Sequence, residues 1–217
     1  MVAVVIAELI GLIAPPRCAL CAGNCPARVQ LCDRCESQLD VMRPGFAPIA
    51  GLELAWSAAP YEGVARDLVV ALKFGPRPTL ARRVAAAIVE RAPGELREGA
   101  IVPVPAAPWR HRWRGFDPAE AIAAELGAGA GLPVCRCLRR SQGRRQVGRP
   151  RAERLASPPR VRLTEPPPER AVLVDDVVTT GATLGACARA LRSDGCDRIV
   201  AVAFARSGAL GSGAPRA

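Results

Sequence analysis

The run Val172–Leu184 reads Val-Leu-Val-Asp-Asp-Val-Val-Thr-Thr-Gly-Ala-Thr-Leu. Read locally, a buried strand emerges at Asp175 and Asp176, turns through small and hydroxylated residues, and opens a helix near Ala182. Backbone N–H groups around Thr179, Thr180, Gly181 and Thr183 then point to one spot at a helix N-terminus. Such a spot attracts anions, because the helix dipole is positive there and the threonine hydroxyls add donors. Two adjacent carboxylates above a phosphate cradle repel that phosphate unless they serve another part of the ligand. The vicinal hydroxyls of a ribose, with or without Mg²⁺, fit that requirement.

A second group of reactive residues lies near the N-terminus. The chain has nine cysteines, and Cys18-x2-Cys21 and Cys32-x2-Cys35 stand ten residues apart. Two such knuckles present four thiolates to one zinc, each pair from one tight turn. A four-cysteine site leaves no coordination position open, so the Zn²⁺ expected here is structural. Cys25, a fifth thiol, can substitute or stay free. The odd cysteine count argues against a complete disulfide framework, and no βαβ pattern surrounds either knuckle to suggest a redox pair.

These groups need a scaffold, and the rest of the chain supplies one. Leu52–Ala58 reads as a strand and Glu62–Phe74 as a helix with Val64, Leu68 and Leu72 on one face. Thr79 can cap a second helix bearing Leu80, Val84 and Ile88. Ala100–Val104 is a short apolar strand. Asp117-Pro118-Ala119-Glu120 starts a helix, with Asp117 as N-cap and Pro118 in the first turn. Leu132–Leu138 reads as a further strand, Ala171–Val174 as a buried one ending at the aspartates, and Arg198–Phe204 as the last. Strand and helix alternating in this rhythm predict an α/β fold with a mostly parallel sheet. The chain carries only three Trp, one Tyr and four Phe, so its core must be built from Val, Leu, Ile and Ala.

The charge balance is basic: 30 Lys and Arg against 20 Asp and Glu, a net +10. Lys73 is the only lysine and His111 the only histidine, which excludes mechanisms that need two histidines. Basic character favours phosphate-bearing partners. Residues 139–170 hold ten arginines, three glutamates and six prolines without helical or alternating periodicity in their first half. That stretch is expected to be a flexible flap. The apolar run Met1–Ala14 contains Glu8, has no basic leader and is too short to span a membrane. It reads as a core-docking helix leading into Pro15-Pro16, with a signal peptide as the weaker reading. No membrane insertion and a cytoplasmic location are expected. The predicted organisation is an N-terminal helix with a four-cysteine segment over 1–50, an α/β domain over 51–207 and a disordered tail over 208–217.

Val172–Leu184 resembles the ribose-5-phosphate signature of type I phosphoribosyltransferases, which bind phosphoribosyl pyrophosphate (PRPP). The knuckles after Pro15-Pro16-Arg17, then Tyr61-Glu62-Gly63, Leu72-Lys73-Phe74, Val102-Pro-Val-Pro105, Arg114-Gly-Phe-Asp117 and the arginine-rich flap occur in one order. Together they resemble ComF family proteins over about residues 9–206. The family pattern after Arg-Gly-Phe is usually Asn-Gln, whereas here it is Asp117-Pro118, so any contact made by the glutamine amide is lost. Many relatives carry a second pair of knuckles, but residues 36–60 hold no cysteine, so one zinc is expected.

The resemblance implies that Asp175 and Asp176 hold the ribose hydroxyls as the catalytic pair and that Thr179–Thr183 anchor the 5-phosphate, with Val177 and Val178 in the same binding run. It places a pyrophosphate-binding turn at Val102–Pro105, with Val104 and Pro105 as the contacts. Lys73, Arg110 and Arg114 then follow as ligand contacts, or alternatively as a helix-end cation and a solvated basic face. Arg144, Arg145 and Gln146 would close over the pyrophosphate, with Mg²⁺ arriving on PRPP. No base-stacking aromatic or specific polar group announces an acceptor. The family implies a link to natural competence, DNA uptake and recombination. A non-catalytic alternative reuses the scaffold for single-stranded DNA, with Trp109 and Trp113 interleaved among arginines, or for docking a recombination or helicase protein.

Overall fold

The computed structural model describes residues 17–25, 30–74, 78–107, 115–141 and 159–208. In chain order the elements are α1 (Asp33–Asp40), β1 (Gly45–Phe46), β2 (Leu54–Pro60), α2 (Gly63–Phe74), α3 (Pro78–Arg91), a 3-10 turn (Gly94–Arg97), β3 (Ala100–Pro103), α4 (Pro118–Ala130), β4 (Leu138–Arg140), β5 (Val161–Leu163), β6 (Arg170–Val178), α5 (Ala182–Ser193) and β7 (Arg198–Arg206). Five strands form one sheet in the order β1-β2-β7-β6-β3. Its β2, β7, β6 and β3 run parallel, while β1 joins β2 antiparallel. The expected α/β architecture is present, and its central strands read as unbroken apolar runs because helices cover both faces.

Each face has its own core. On one side Leu68, Leu72, Leu80, Val84, Ile88 and Ile122, from α2, α3 and α4, pack on Val172, Val174, Val202 and Phe204. On the other, Leu184, Cys187 and Leu191 of α5 pack on Leu173, Ile199 and Ala201. Fully buried aliphatics and alanines dominate both cores, as a sequence so poor in aromatic rings requires.

Several boundaries differ from the sequence reading, each for an identifiable reason. The strand at Ala171–Val174 continues to Val178, because β7 keeps pairing beyond it: Asp175 opposes Ala203 and Val178 opposes Arg206. Asp175 and Asp176 therefore lie within the strand. Helix α3 starts at Pro78, so Thr79 sits inside its first turn and not at a cap. Leu132–Leu138 does not form a continuous strand. Val134 alone bridges Ile101, and the strand that follows, β4, turns away to pair with β5. The arginine-rich stretch thus has paired ends: Leu138–Arg140 and Val161–Leu163 form an antiparallel ribbon. Among the described residues no helix is long and apolar enough to cross a membrane.

The cysteine segment docks onto the same core. Cys18, Cys25, Leu31, Cys35 and Leu39 belong to the cluster formed by α2 and α3. Arg83 of α3 grips Glu36 of α1 with Nε–Oε2 and Nη2–Oε2 distances of 2.8 Å, and Arg91 reaches Asp40 at 3.1 Å. Gly45–Phe46 then adds an edge strand to the main sheet, where Arg206 donates through Nη1 to the Phe46 carbonyl.

Candidate functional site

Strand geometry separates the two aspartates. Successive side chains of a strand point to opposite faces, and here Asp176 turns toward α2 while Asp175 turns toward the α5 side. Lys73, near the end of α2, places Nζ 3.0 Å from Asp176 Oδ2. Both side chains are largely buried, at 18% and 12% exposure, so the pair is mostly desolvated. The sole lysine is thereby brought to one of the two aspartates, a placement that its position at a helix end alone did not establish.

Asp175 is half-buried, and its Oδ1 accepts a hydrogen bond from the Asp176 N–H at 2.8 Å. Burial, and then the neighbouring Asp176 charge, push its carboxyl well above the ordinary range; that amide and the Lys73 charge only partly oppose the rise. The folded chain therefore binds a proton at Asp175 more readily than the unfolded chain. Stability must fall as pH rises from the unfolded carboxylate value, near 3.9, through the raised folded one. Asp175→Asn keeps the acceptor oxygen and removes the charge. Its melting temperature is expected to exceed that of the parent at pH 7, with the gain vanishing as pH falls toward 4. Paired melts across that range check this, and an equal or lower Tm at pH 7 would contradict it.

After Val178 the chain makes the expected turn. Thr179 and Thr180 are exposed, Gly181 is the N-cap of α5, and Thr180 Oγ1 accepts from the Ala182 N–H at 3.4 Å. Gly181 has φ of +72°, and a Cβ there would lie 2.8 Å from Ile49 Cδ1. Glycine is thus required twice, by the left-handed backbone and by the close approach of Ile49. Ile49 was not legible as a site neighbour, because nothing in its local sequence ties it to Gly181. Its loop runs from β1 to β2 and passes over the start of α5.

The turn after β3 is fixed from α4. Asp117 caps α4 by accepting from the Ala119 N–H at 3.0 Å, and its second oxygen accepts from the Ala106 N–H at 3.2 Å. One side chain thus joins the helix start to the Val104–Ala106 turn. Burial raises the Asp117 carboxyl, against the backbone N–H bonds it receives. Arg110, His111, Arg112, Arg114, Trp109, Trp113, Arg144, Arg145 and Gln146 lie outside the described residues, as do Met1–Ala14 and the tail from 209.

The four knuckle cysteines converge. The Sγ atoms of Cys18, Cys21, Cys32 and Cys35 all lie within 4.8 Å of one another. Cys18 and Cys35 are separated by 3.8 Å and Cys21 and Cys32 by 3.6 Å. Tetrahedral zinc with Zn–S bonds of about 2.3 Å needs sulfurs about 3.8 Å apart, so these residues fit the ion. Cys32 stands at the N-cap of α1 and Cys35 in its first turn. Burial opposes ionisation of Cys18, but the N–H groups of Cys21, Cys32 and Leu20 directed at its sulfur bring the thiol down to about 6. Cys25 is buried and lies outside this four-sulfur group.

Residues 112–212 match the family model described as the phosphoribosyl transferase domain. That span takes in α4, the β4–β5 ribbon, β6, α5 and β7. No curated protein matches the chain. Among solved structures, the chain is similar to the orotate phosphoribosyltransferase from Aeropyrum pernix, with 18% identity, 80% of each chain covered and a TM-score of 0.38. The C-terminal part of the chain, residues 112–212, thus matches the phosphoribosyl transferase domain, within a mostly parallel α/β sheet preceded by a four-cysteine cluster able to hold zinc.

Proposed function

We propose that this chain is a ComF-like protein that binds PRPP at the junction of β6 and α5. The observation that carries the reading is the strand–turn–helix at Arg170–Ser193, where a glycine-capped helix N-terminus follows two carboxylates, one of them buried against Lys73. In this reading Thr179, Thr180 and Thr183, with the first amides of α5, take the 5-phosphate. Asp175 and Asp176 take the ribose hydroxyls, and the Val104–Ala106 turn, held by Asp117, faces the pyrophosphate. Mg²⁺ enters with PRPP as part of the substrate.

If transfer follows, pyrophosphate leaves C1 of the ribose while a nitrogen nucleophile forms the new bond there. The protein's part is then orientation: anchoring the remote phosphate holds C1 in place as positive charge develops on the ring. The role in DNA uptake and recombination belongs to the same reading and rests on the ordered set of motifs.

Calorimetric titration of the zinc-loaded chain with PRPP and Mg²⁺ tests the site. Saturable binding is expected, weakened about 100-fold or more in Asp175→Ala/Asp176→Ala, because two charged hydrogen-bond acceptors are lost. No binding at millimolar PRPP in folded protein would refute the reading.

A further inference from the structure

The start of α5 does not fix itself. Helices commonly open on a residue in extended conformation whose side chain accepts an amide hydrogen. Gly181, the N-cap of α5, is instead left-handed, with φ of +72° and ψ of 0°, and has no side chain to cap the helix. The bond from the Ala182 N–H to Thr180 Oγ1, at 3.4 Å, is long. Glycine ranges over more backbone conformations than any other residue. A turn built this way needs support from outside to aim its amides at one point.

That support comes from residues 47–52, which form a strap tied to the main sheet at both ends. The Ala47 N–H donates to the Ala55 carbonyl at 2.9 Å, and the Glu53 N–H to the Ile199 carbonyl at 3.0 Å. Between them the Leu52 N–H donates to the Ile49 carbonyl at 3.1 Å and closes a turn. The strap lies along the side of α5 that carries Gly181, Gly185 and Ala188. A Cβ at Gly181 would stand 2.8 and 2.9 Å from Ile49 Cδ1 and Cγ1. One at Gly185 would stand 3.4 Å from the Ala50 carbonyl oxygen, and one at Gly51 3.4 Å from Ala188 Cβ. Residues three and four apart share a helix face, and small ones on this face let the strap reach the α5 backbone. Ile49 is half-buried and packs with Ala47 and Leu52 on the α5 core.

We propose that Ile49 is a positioning residue. Its side chain, braced by the strap, holds the Gly181 turn in the conformation that directs the first amides of α5 at an anion. Its contribution is preorganisation: the turn is ordered when the chain folds, and binding does not have to order it. The ligand role of the turn rests on the PRPP reading; the hold of Ile49 on the turn does not.

The test compares the zinc-loaded parent with Ile49→Ala, Ile49→Val and Leu52→Ala in two measurements. Leu52→Ala removes similar apolar bulk from the same strap and core, but not from the Gly181 contact. The first measurement is hydrogen exchange without ligand at the Gly185 amide, which donates to the Gly181 carbonyl at 2.9 Å. Exchange there is expected to quicken about tenfold or more in Ile49→Ala and to change little in the other two. The second is calorimetric titration with PRPP and Mg²⁺, in which binding should weaken about tenfold in Ile49→Ala alone. Ile49→Ala and Leu52→Ala should lower the melting temperature alike, so a binding loss confined to Ile49 is not a general loss of stability. Gly181→Ala should also destabilise the parent more than it destabilises Ile49→Ala, where the atoms its Cβ would strike are gone.

Unchanged exchange at Gly185 in Ile49→Ala overturns the proposal. So does PRPP affinity that is unaltered in Ile49→Ala, or that falls equally in Leu52→Ala. If the parent binds no PRPP, that reading falls by itself and exchange decides the role of Ile49: faster exchange at Gly185 in Ile49→Ala sustains it, and an unchanged rate ends it.

Discussion

Stripping the metal from the four-cysteine cluster is expected to cost the protein several kcal/mol and to lower its melting temperature by about 10 °C or more. The reason is the geometry of the thiols. Four sulfurs within 4.8 Å of one another are held by a segment with little core of its own. Leu31 and Leu39 are its fully buried large side chains, and they pack against α2 and α3. Once zinc is lost, the Cys18–Cys21 turn and the start of α1 rely on a few backbone hydrogen bonds, such as Ala19 N–H to the Gln30 carbonyl, on the Arg83 and Arg91 ion pairs and on that small apolar contact. Structural zinc in small domains contributes folding free energy outright, about 10–16 kcal/mol in isolated peptides, and docking onto a larger core retains part of the structure without it. Elemental analysis should therefore find about one zinc per chain. Calorimetric melts with and without a chelator should show the drop, and Cys18→Ser/Cys35→Ser should reproduce it. Less than half a zinc per chain, or a melt indifferent to chelation, would refute the expectation.

The sequence was most informative where local chemistry and global position agree. Asp117 caps α4 because Asp-Pro-Ala-Glu is a helix start whatever surrounds it, and the knuckle spacing brings four sulfurs together because each turn is self-contained. The apolar runs at Ala100–Pro103 and Arg198–Arg206 became strands because only a sheet covered on both faces can bury them. What was not legible depends on partners distant in sequence. Asp175 and Asp176 read as the end of a strand, yet β7 runs on beside them and keeps them within it, which sends their side chains to opposite faces. Nothing around Ile49 predicts that it covers Gly181. Arg139 and Arg162 were submerged in an arginine-rich stretch with no periodicity, and only the ribbon's register sets them against each other. The second function of Asp117, holding the Ala106 amide, likewise needed the turn after β3 to be in place.

The buried ion pair at the candidate site yields the second large effect. Lys73→Met is expected to destabilise the fold by about 3–5 kcal/mol at pH 7, the range found when one partner of a buried pair is removed. With exposures of 18% and 12%, neither charge is well hydrated, so Asp176 would be left in the protein interior without its cation. The Lys73 charge also restrains the raised carboxyl of Asp175, and its removal pushes that group up further. Because a raised carboxyl costs stability only above its unfolded value, the loss should shrink as the pH falls toward 4. Asp176→Asn in the Lys73→Met background removes the orphaned charge and should recover most of the stability, since replacing both partners is far less costly than replacing one. Urea unfolding of the two single variants and the double variant closes the cycle. A coupling energy near zero would show that Lys73 contributes only as a helix-end cation. A large coupling, with PRPP binding lost in the stable double variant, would show that the pair holds Asp176 ready for the ribose while limiting the cost of keeping two carboxylates side by side in one buried strand.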